Sequence, residues 1–174
     1  MAIAQGGIVR RRGPMTKVYI PTILAIDPGT DLSAYVVLSN GRPTLKGKFP
    51  NWKLLEWLRQ GTIQPYDHLC VEKIASYGMA VGKEVFETCV WSGRFIEASG
   101  KPFSRLTRKE VVVHCCGSSK AKDTNVRTAM IDKYGPPGTK KNPGGTYGFA
   151  NDTWAALAVA TACWELKTYE RPED

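Results

Sequence analysis

The sequence predicts an α/β domain, a mixed five-stranded sheet with helices on both faces. Two observations carry that prediction. Short apolar runs bounded by turn residues are interleaved with stretches of helical spacing, in the order three strands, helix, strand, helix, strand, then helices. The chain also has 174 residues of which 43% are apolar, enough for one domain that hides roughly 68–70% of its unfolded surface and needs no disulfide or metal staple. No internal repeat interrupts the pattern.

Residues 1–17 are rich in Gly, Arg and Lys and read as a flexible basic N-terminal arm; residues 18–170 read as the single domain. Ile23, Leu24, Ala25 and Ile26 form an apolar strand that stops at Asp27 and the Pro28-Gly29-Thr30 turn. Ala34 to Leu38 make a second strand, closed by the Ser39-Asn40-Gly41 turn, and a third follows around residues 45–49. Leu54, Leu55 and Leu58 space a short helix over 52–59. Leu69-Cys70-Val71 is a fourth strand, again stopped by a carboxylate, Glu72. Over 81–98, Val85, Phe86, Cys89, Val90, Gly93 and Ile96 recur at three- and four-residue spacing, the stripe of an amphipathic helix. A short strand over 103–106 and an apolar segment over 111–113 precede a helix over 124–134. Residues 135–145 hold too much Pro and Gly for regular structure and read as a flexible loop. A last helix opens near Asn151-Asp152 and carries Ala155, Ala156, Leu157, Val159, Ala160, Cys163 and Trp164.

Charge narrows the function. Twenty-four Lys and Arg against sixteen Asp and Glu leave a net charge of +8, which points to a polyanionic partner. No apolar run approaches the roughly 18–20 residues of a membrane span, and Arg10-Arg11-Arg12 lacks the apolar stretch of a signal peptide. A soluble, cytoplasmic protein with no membrane partner is expected. The five cysteines, at 70, 89, 115, 116 and 163, follow no zinc spacing and no even-numbered framework, so free, buried thiols are expected. Flanked by Val111-Val112-Val113, His114-Cys115-Cys116 reads as lying in or beside a core; a pairing with His68 is not readable.

In so basic a chain, carboxylates among apolar neighbours stand out. Asp27 ends the first strand, Glu72 ends the fourth and Asp152 opens the last helix. If strands one and four lie side by side, their ends meet, and a helix packed across them brings in the third acid. Acids crowded in this way call for a cation, and oxygen ligands suit Mg²⁺ or Mn²⁺. Each acid also has a plainer role open to it: Asp27 as a turn former, Glu72 as partner of Lys73, Asp152 as an acid favoured by the helix dipole.

The motifs Leu24-Ala25-Ile26-Asp27-Pro28-Gly29-Thr30, Val71-Glu72-Lys73-Ile74, Gly117-Ser118-Ser119-Lys120 and Asn151-Asp152 through Ala156-Leu157-Ala158-Val159-Ala160 resemble, in that order, the RuvC group of the ribonuclease H-like superfamily. The segment from Tyr77-Gly78-Met79 to Arg94-Phe95 is similar to the branch of RuvC-type Holliday junction resolvases encoded by bacteriophages. The resemblance spans about residues 22–166. It implies a ribonuclease H-like fold and a crossover junction endodeoxyribonuclease of DNA recombination and repair that resolves four-way junctions by paired hydrolysis, leaving 5′-phosphate ends. It further implies Asp27, Glu72 and Asp152 as catalytic and metal-binding residues, Asp27 bridging two Mg²⁺ ions per subunit with Mn²⁺ as substitute. One departure stands out: RuvC proteins carry a fourth acid three residues beyond the third, and Ala155 occupies that place. Water, the substrate phosphate or the Asn151 amide are candidates to replace it; alternatively Asp152 serves both ions.

Basic residues supply candidate DNA contacts: Lys101, Arg105, Arg108 and Lys109 around the fifth strand, Lys120, Lys122 and Arg127 at the start of a helix, Lys140 and Lys141 in the Gly/Pro-rich loop. Lys120 and Lys122 gain from the helix N-terminus. Tyr77 and Met79 are candidates to meet an unstacked base. Two cuts at a junction imply a homodimer, with the 81–98 helix as interface through Gly82, Phe86, Val90, Trp91 and Gly93. Competing readings are a less selective branched-DNA or flap endonuclease and a non-catalytic DNA-binding module on the same fold. An ATP-binding protein of the actin and sugar-kinase type, suggested by the Asp27-Pro28-Gly29-Thr30 turn, needs two such domains and does not fit in 174 residues.

Overall fold

In the computed structural model, which describes residues 20–173, the strands are β1 (Ile23–Asp27), β2 (Leu32–Ser39), β3 (Arg42–Pro50), β4 (His68–Lys73) and β5 (Phe103–Thr107). They form one sheet in the order β3-β2-β1-β4-β5, antiparallel from β3 to β1 and parallel from β1 to β5. The predicted mixed sheet is therefore the observed one, with the first and fourth strands adjacent. The arm expected over residues 1–17 lies outside the described residues.

Helices α1 (Asn51–Gln60) and α2 (Lys83–Ser99) cover one face; α3 (Arg108–Cys116), α4 (Asp123–Tyr134) and α5 (Thr153–Glu165) cover the other. The central strands are apolar without alternation because both faces are buried. Leu24, Ile26, Tyr35, Val37, Leu69 and Val71 meet Leu54, Leu55, Leu58 and Phe95. Ile23, Ala25, Ala34, Val36, Cys70 and Leu106 meet α5. Helix α5 is buried nearly all round, and its alanines at 156, 158, 160 and 162 let it lie close to the sheet beneath α3 and α4. Among the described residues no helix is long and apolar enough to cross a membrane.

At four places the structure adds to or corrects the expectation. The Val-rich segment at 111–113 belongs to a helix, α3, because Thr107 caps it: its hydroxyl accepts from the Glu110 N–H at 3.2 Å, and the Glu110 carboxylate accepts from the Thr107 N–H at 2.7 Å. Residues 135–145 hold no regular helix or strand, as expected, and form a small hairpin turn bridged between Gly138 and Pro143, with Gly144 N–H donating to the Pro137 carbonyl at 2.8 Å. Side chains at Gly144 and Gly145 would collide with the carbonyl oxygens of Pro136 and Tyr134, so the pairing requires glycine there.

On α2 the buried line is Thr88 and Phe95, with Trp91 packed against Phe95, whereas Phe86, Cys89 and Val90 face outward. Trp91, half-buried, stacks on Phe95 of its own core. The five thiols are free, but only Cys70 and Cys163 are buried; Cys115 and Cys116 are half-buried and Cys89 is exposed. His114 bonds Glu165 at 2.7 Å beside the core, and His68 is buried elsewhere, 2.9 Å from the Ser104 hydroxyl.

Candidate active site

Strand register builds the site. Asp27 of β1 stands opposite Ala34 of β2, and Ala34 stands opposite Lys48 of β3. On its other side β1 runs parallel to β4 with Ile26 opposite Val71, so the next residues along, Asp27 and Glu72, lie abreast. Residues directly opposite in a sheet share a face. Lys48, Ala34, Asp27 and Glu72 therefore form one row toward the α5 side, at the end of the sheet where the apolar row Val36, Ala25 and Cys70 gives way to polar residues.

Asp152 arrives on the N-terminal end of α5, which packs across β1 and β2. It sits at the N-cap position but makes no capping bond with its side chain. Its carboxylate instead accepts from the Lys48 ammonium. Asp27, Lys48, Glu72, Arg108, Asp123 and Asp152 line one cleft of about 950 Å³, with Arg127 over the Trp154 ring at 5.5 Å on its wall.

The turn after Asp27 is fixed from beneath. Asn51, 1% exposed, donates to the carbonyls of Gly29 at 2.9 Å and Thr30 at 3.0 Å and accepts from the Ser33 hydroxyl at 2.6 Å. A side chain at Gly29 would strike the Leu32 carbonyl oxygen. The turn is thus held by Asn51 and by close backbone approach, and among the described residues no side-chain hydrogen bond involves the Asp27 carboxylate. It is free to face the cleft.

Burial dominates the electrostatics of the two strand acids. Burial, then the neighbouring Glu72 and Asp152, push Asp27 up to about 8 against the opposing pull of Arg108 and Lys48. Burial raises Glu72 as well, with Arg108 opposing and Asp123 adding to the rise. Glu72 does not pair with Lys73: its Oε2 is buried without a hydrogen-bond partner, and the Arg108 guanidinium is 3.9 Å away, already engaged by Asp123. A buried acceptor left without a hydrogen bond is rare in a folded protein.

Oxygen donors from Asp27 and Glu72, one of them orphaned, fit a hard cation, and Asp152 lines the same space. Among the described residues no three such side chains yet close around a single point; Lys48 holds Asp152.

The predicted basic residues divide into groups. Arg108 lies in the cleft, bonded to Asp123 and beside Glu72, as a counter-ion to the acids. Arg105 is on the edge strand, where the Glu173 carboxylate accepts from its backbone N–H and its Nε, each at 2.8 Å. Lys109, Lys120, Lys122, Lys140 and Lys141 are exposed, the last two at the hairpin tip; Lys122 stands at the N-cap position of α4 beside Asp123, its backbone N–H donating to the Asn125 Oδ1 at 2.9 Å. Tyr77 and Met79 are 59% and 72% exposed.

Sequence reasoning missed Lys48, Asp123 and Asn51. Asp123 had a signal, its place beside Lys122 at a helix start; Lys48 becomes visible only once three strands are in register.

No family model matches the chain, and no curated protein sequence matches it. Solved structures do. The Thermus thermophilus RuvC structure matches with a TM-score of 0.64 at 15% identity over 87% of this chain and 98% of that one. T. thermophilus RuvC in complex with a Holliday junction substrate matches with a TM-score of 0.64 at 14% identity over 88% and 98%. At such identity the likeness is one of architecture: the chain has the fold of RuvC, over nearly the whole of the described residues.

Proposed function

We propose that the protein is a divalent-metal-dependent endodeoxyribonuclease that cuts branched DNA, four-way junctions in particular, leaving 5′-phosphate ends. One observation carries the reading: Asp27, Glu72 and Asp152 line a single cleft in which Asp27 is pushed to about 8 and a buried Glu72 oxygen has no partner. The RuvC fold supports the same reading.

Asp27 and Glu72 would hold Mg²⁺, or Mn²⁺ in its place, with Asp152 completing the set. Bound there, the ion supplies charge that acidifies a water and neutralises the scissile phosphate. Arg108 holds Asp123 and shields Glu72, Arg127 stiffens the cleft wall over Trp154, and Asn51 keeps the Asp27 turn in place. The exposed Lys109, Lys120, Lys122, Lys140 and Lys141 would take the phosphates of the arms, and Tyr77 or Met79 an unstacked base. A homodimer would place one cleft on each cut strand, joined through the outward α2 face, where Phe86 and Val90 are 61% and 56% exposed and, among the described residues, a Cβ at Gly82 or Gly93 would meet open space.

The test is cleavage of a four-way junction, a flap, a duplex and an RNA–DNA hybrid in Mg²⁺ and Mn²⁺, with Asp27→Asn as control. Preferred cutting of the junction, lost in the variant, is expected. Equal cutting of flap and junction would make it a general branched-DNA nuclease. Binding without cutting any substrate would make it a DNA-binding module.

A further inference from the structure

We propose that Lys48 is a catalytic residue of this cleft: its ammonium supplies, on the Asp152 side, the positive charge that a second divalent ion would otherwise bring, so each chain works with one ion and one lysine. This rests on the nuclease reading above and goes beyond it in naming a residue and an ion count.

Three independent features point the same way. The first is position. Lys48 is no chance surface lysine, because the ladder from β3 through β2 to β1 fixes it in the row of Asp27 and Glu72. Between it and Asp27 stands Ala34, fully buried, whose methyl group leaves the long side chain room to lean over the row. The second is the pairing with Asp152, a residue 104 positions away in sequence, inside the cleft. The third is the missing acid: Ala155, one turn along α5, also lines the cleft and offers no oxygen for a second ion.

Charge is consistent with this. Arg108 is engaged by Asp123 and stands 3.9 Å from Glu72, while Lys48 pairs with Asp152 and acts on Asp27. One divalent ion with Lys48 matches the charge of Asp27, Glu72 and Asp152 before the phosphate enters. The division of labour also follows from the geometry. Asp27 and Glu72 lie abreast with an unpartnered oxygen, while Asp152 is already held by the lysine.

The reaction is plain hydrolysis. The oxygen of water bonds to phosphorus, the bond from phosphorus to the 3′ oxygen breaks, and the proton of the water ends on that 3′ oxygen, so nothing else is consumed. The ammonium meets the negative charge that builds on the phosphate oxygens in the transition state, as other preorganised cations do.

The experiment counts ions. Mn²⁺ is titrated into the full chain and the free ion is followed by electron paramagnetic resonance, alongside single-turnover cleavage of a four-way junction. The wild type is expected to bind one Mn²⁺ per chain. Lys48→Gln should still bind one, while its cleavage falls about 100- to 1000-fold. Lys48→Gln combined with Ala155→Asp, which removes the lysine and restores the fourth acid, should bind two. Two ions in the wild type, a single ion in the double variant, or cleavage by Lys48→Gln within threefold of wild type would overturn the proposal. The wild-type count needs no variant to fold. A wild type that cuts with two ions defeats this inference alone; one that neither cuts nor takes up Mn²⁺ defeats the nuclease reading and this inference with it.

Discussion

Replacing Asp27 by asparagine should make the metal-free protein more stable, although the same change removes the residue proposed to be most central to cutting. The side chain keeps its shape and loses a charge that is buried beside Glu72 and Asp152. Between its ordinary value of 3.8 and the folded value of about 8, the folded protein holds a proton on Asp27 that the unfolded chain has released. Wild-type stability therefore declines as pH rises through that window and levels off above about 8. About four pH units at roughly 1.4 kcal/mol each set a scale on the order of 5 kcal/mol. In a domain of this size that corresponds to a rise in Tm of roughly 10–20 °C for Asp27→Asn at pH 8.5.

The assay is thermal unfolding of both proteins in EDTA from pH 4.5 to 9. The gap should be small at the acid end and widen with pH. Adding Mg²⁺ should stabilise the wild type and leave the variant unmoved. A gap that is absent at pH 8.5, or that widens toward acid, would refute the account of Asp27 as a buried acid awaiting a cation.

Three further outcomes are expected. Asn51→Leu removes the side-chain donor from the Gly29 and Thr30 carbonyls and the acceptor from the Ser33 O–H, whose oxygen still takes the Gly29 N–H at 3.2 Å, so urea unfolding should show a loss of about 3 kcal/mol, together with a loss of cleavage as the Asp27 turn relaxes. Phe86→Asp, on the outward face of α2, should change the stability of the single chain by about 0.5 kcal/mol or less while converting a dimer to a monomer in sedimentation equilibrium; an unchanged mass would place any interface elsewhere. Lys122→Ala should reduce the slope of log affinity against log salt for a four-way junction by about 0.9, the release of one phosphate contact, and an unaltered slope would show that Lys122 is only solvated.

The order of elements could be read from sequence because each apolar run ends in something that stops it, Asp27, Glu72 or a glycine turn, and the same stops announced the acids. What could not be read depended on distance. Lys48 reaches the cleft through the pairing of three strands, and that pairing includes a shift between Val37 and Leu38 that no local pattern reveals. The partner of Arg105 is Glu173, 68 positions on. Helix α3 was hidden for the opposite reason: three consecutive β-branched valines argue locally for a strand, and the Thr107–Glu110 cap settles the matter for a helix. On α2 the spacing showed an apolar stripe correctly but not its direction, since Thr88 packs inward while Phe86 and Val90 do not.

Strand β3, which brings Lys48 to the cleft, is also an end of the sheet's ladder, and the edge of a sheet invites pairing with a foreign strand. Its sequence works against that. Pro43 and Pro50 near its two ends have no N–H to offer, and Lys46 and Lys48 place charge on the inward face, where an incoming strand would have to bury it. The lysine proposed to face the phosphate thus also guards the protein against aggregation, so selection for solubility would preserve it even in a relative that no longer cut DNA.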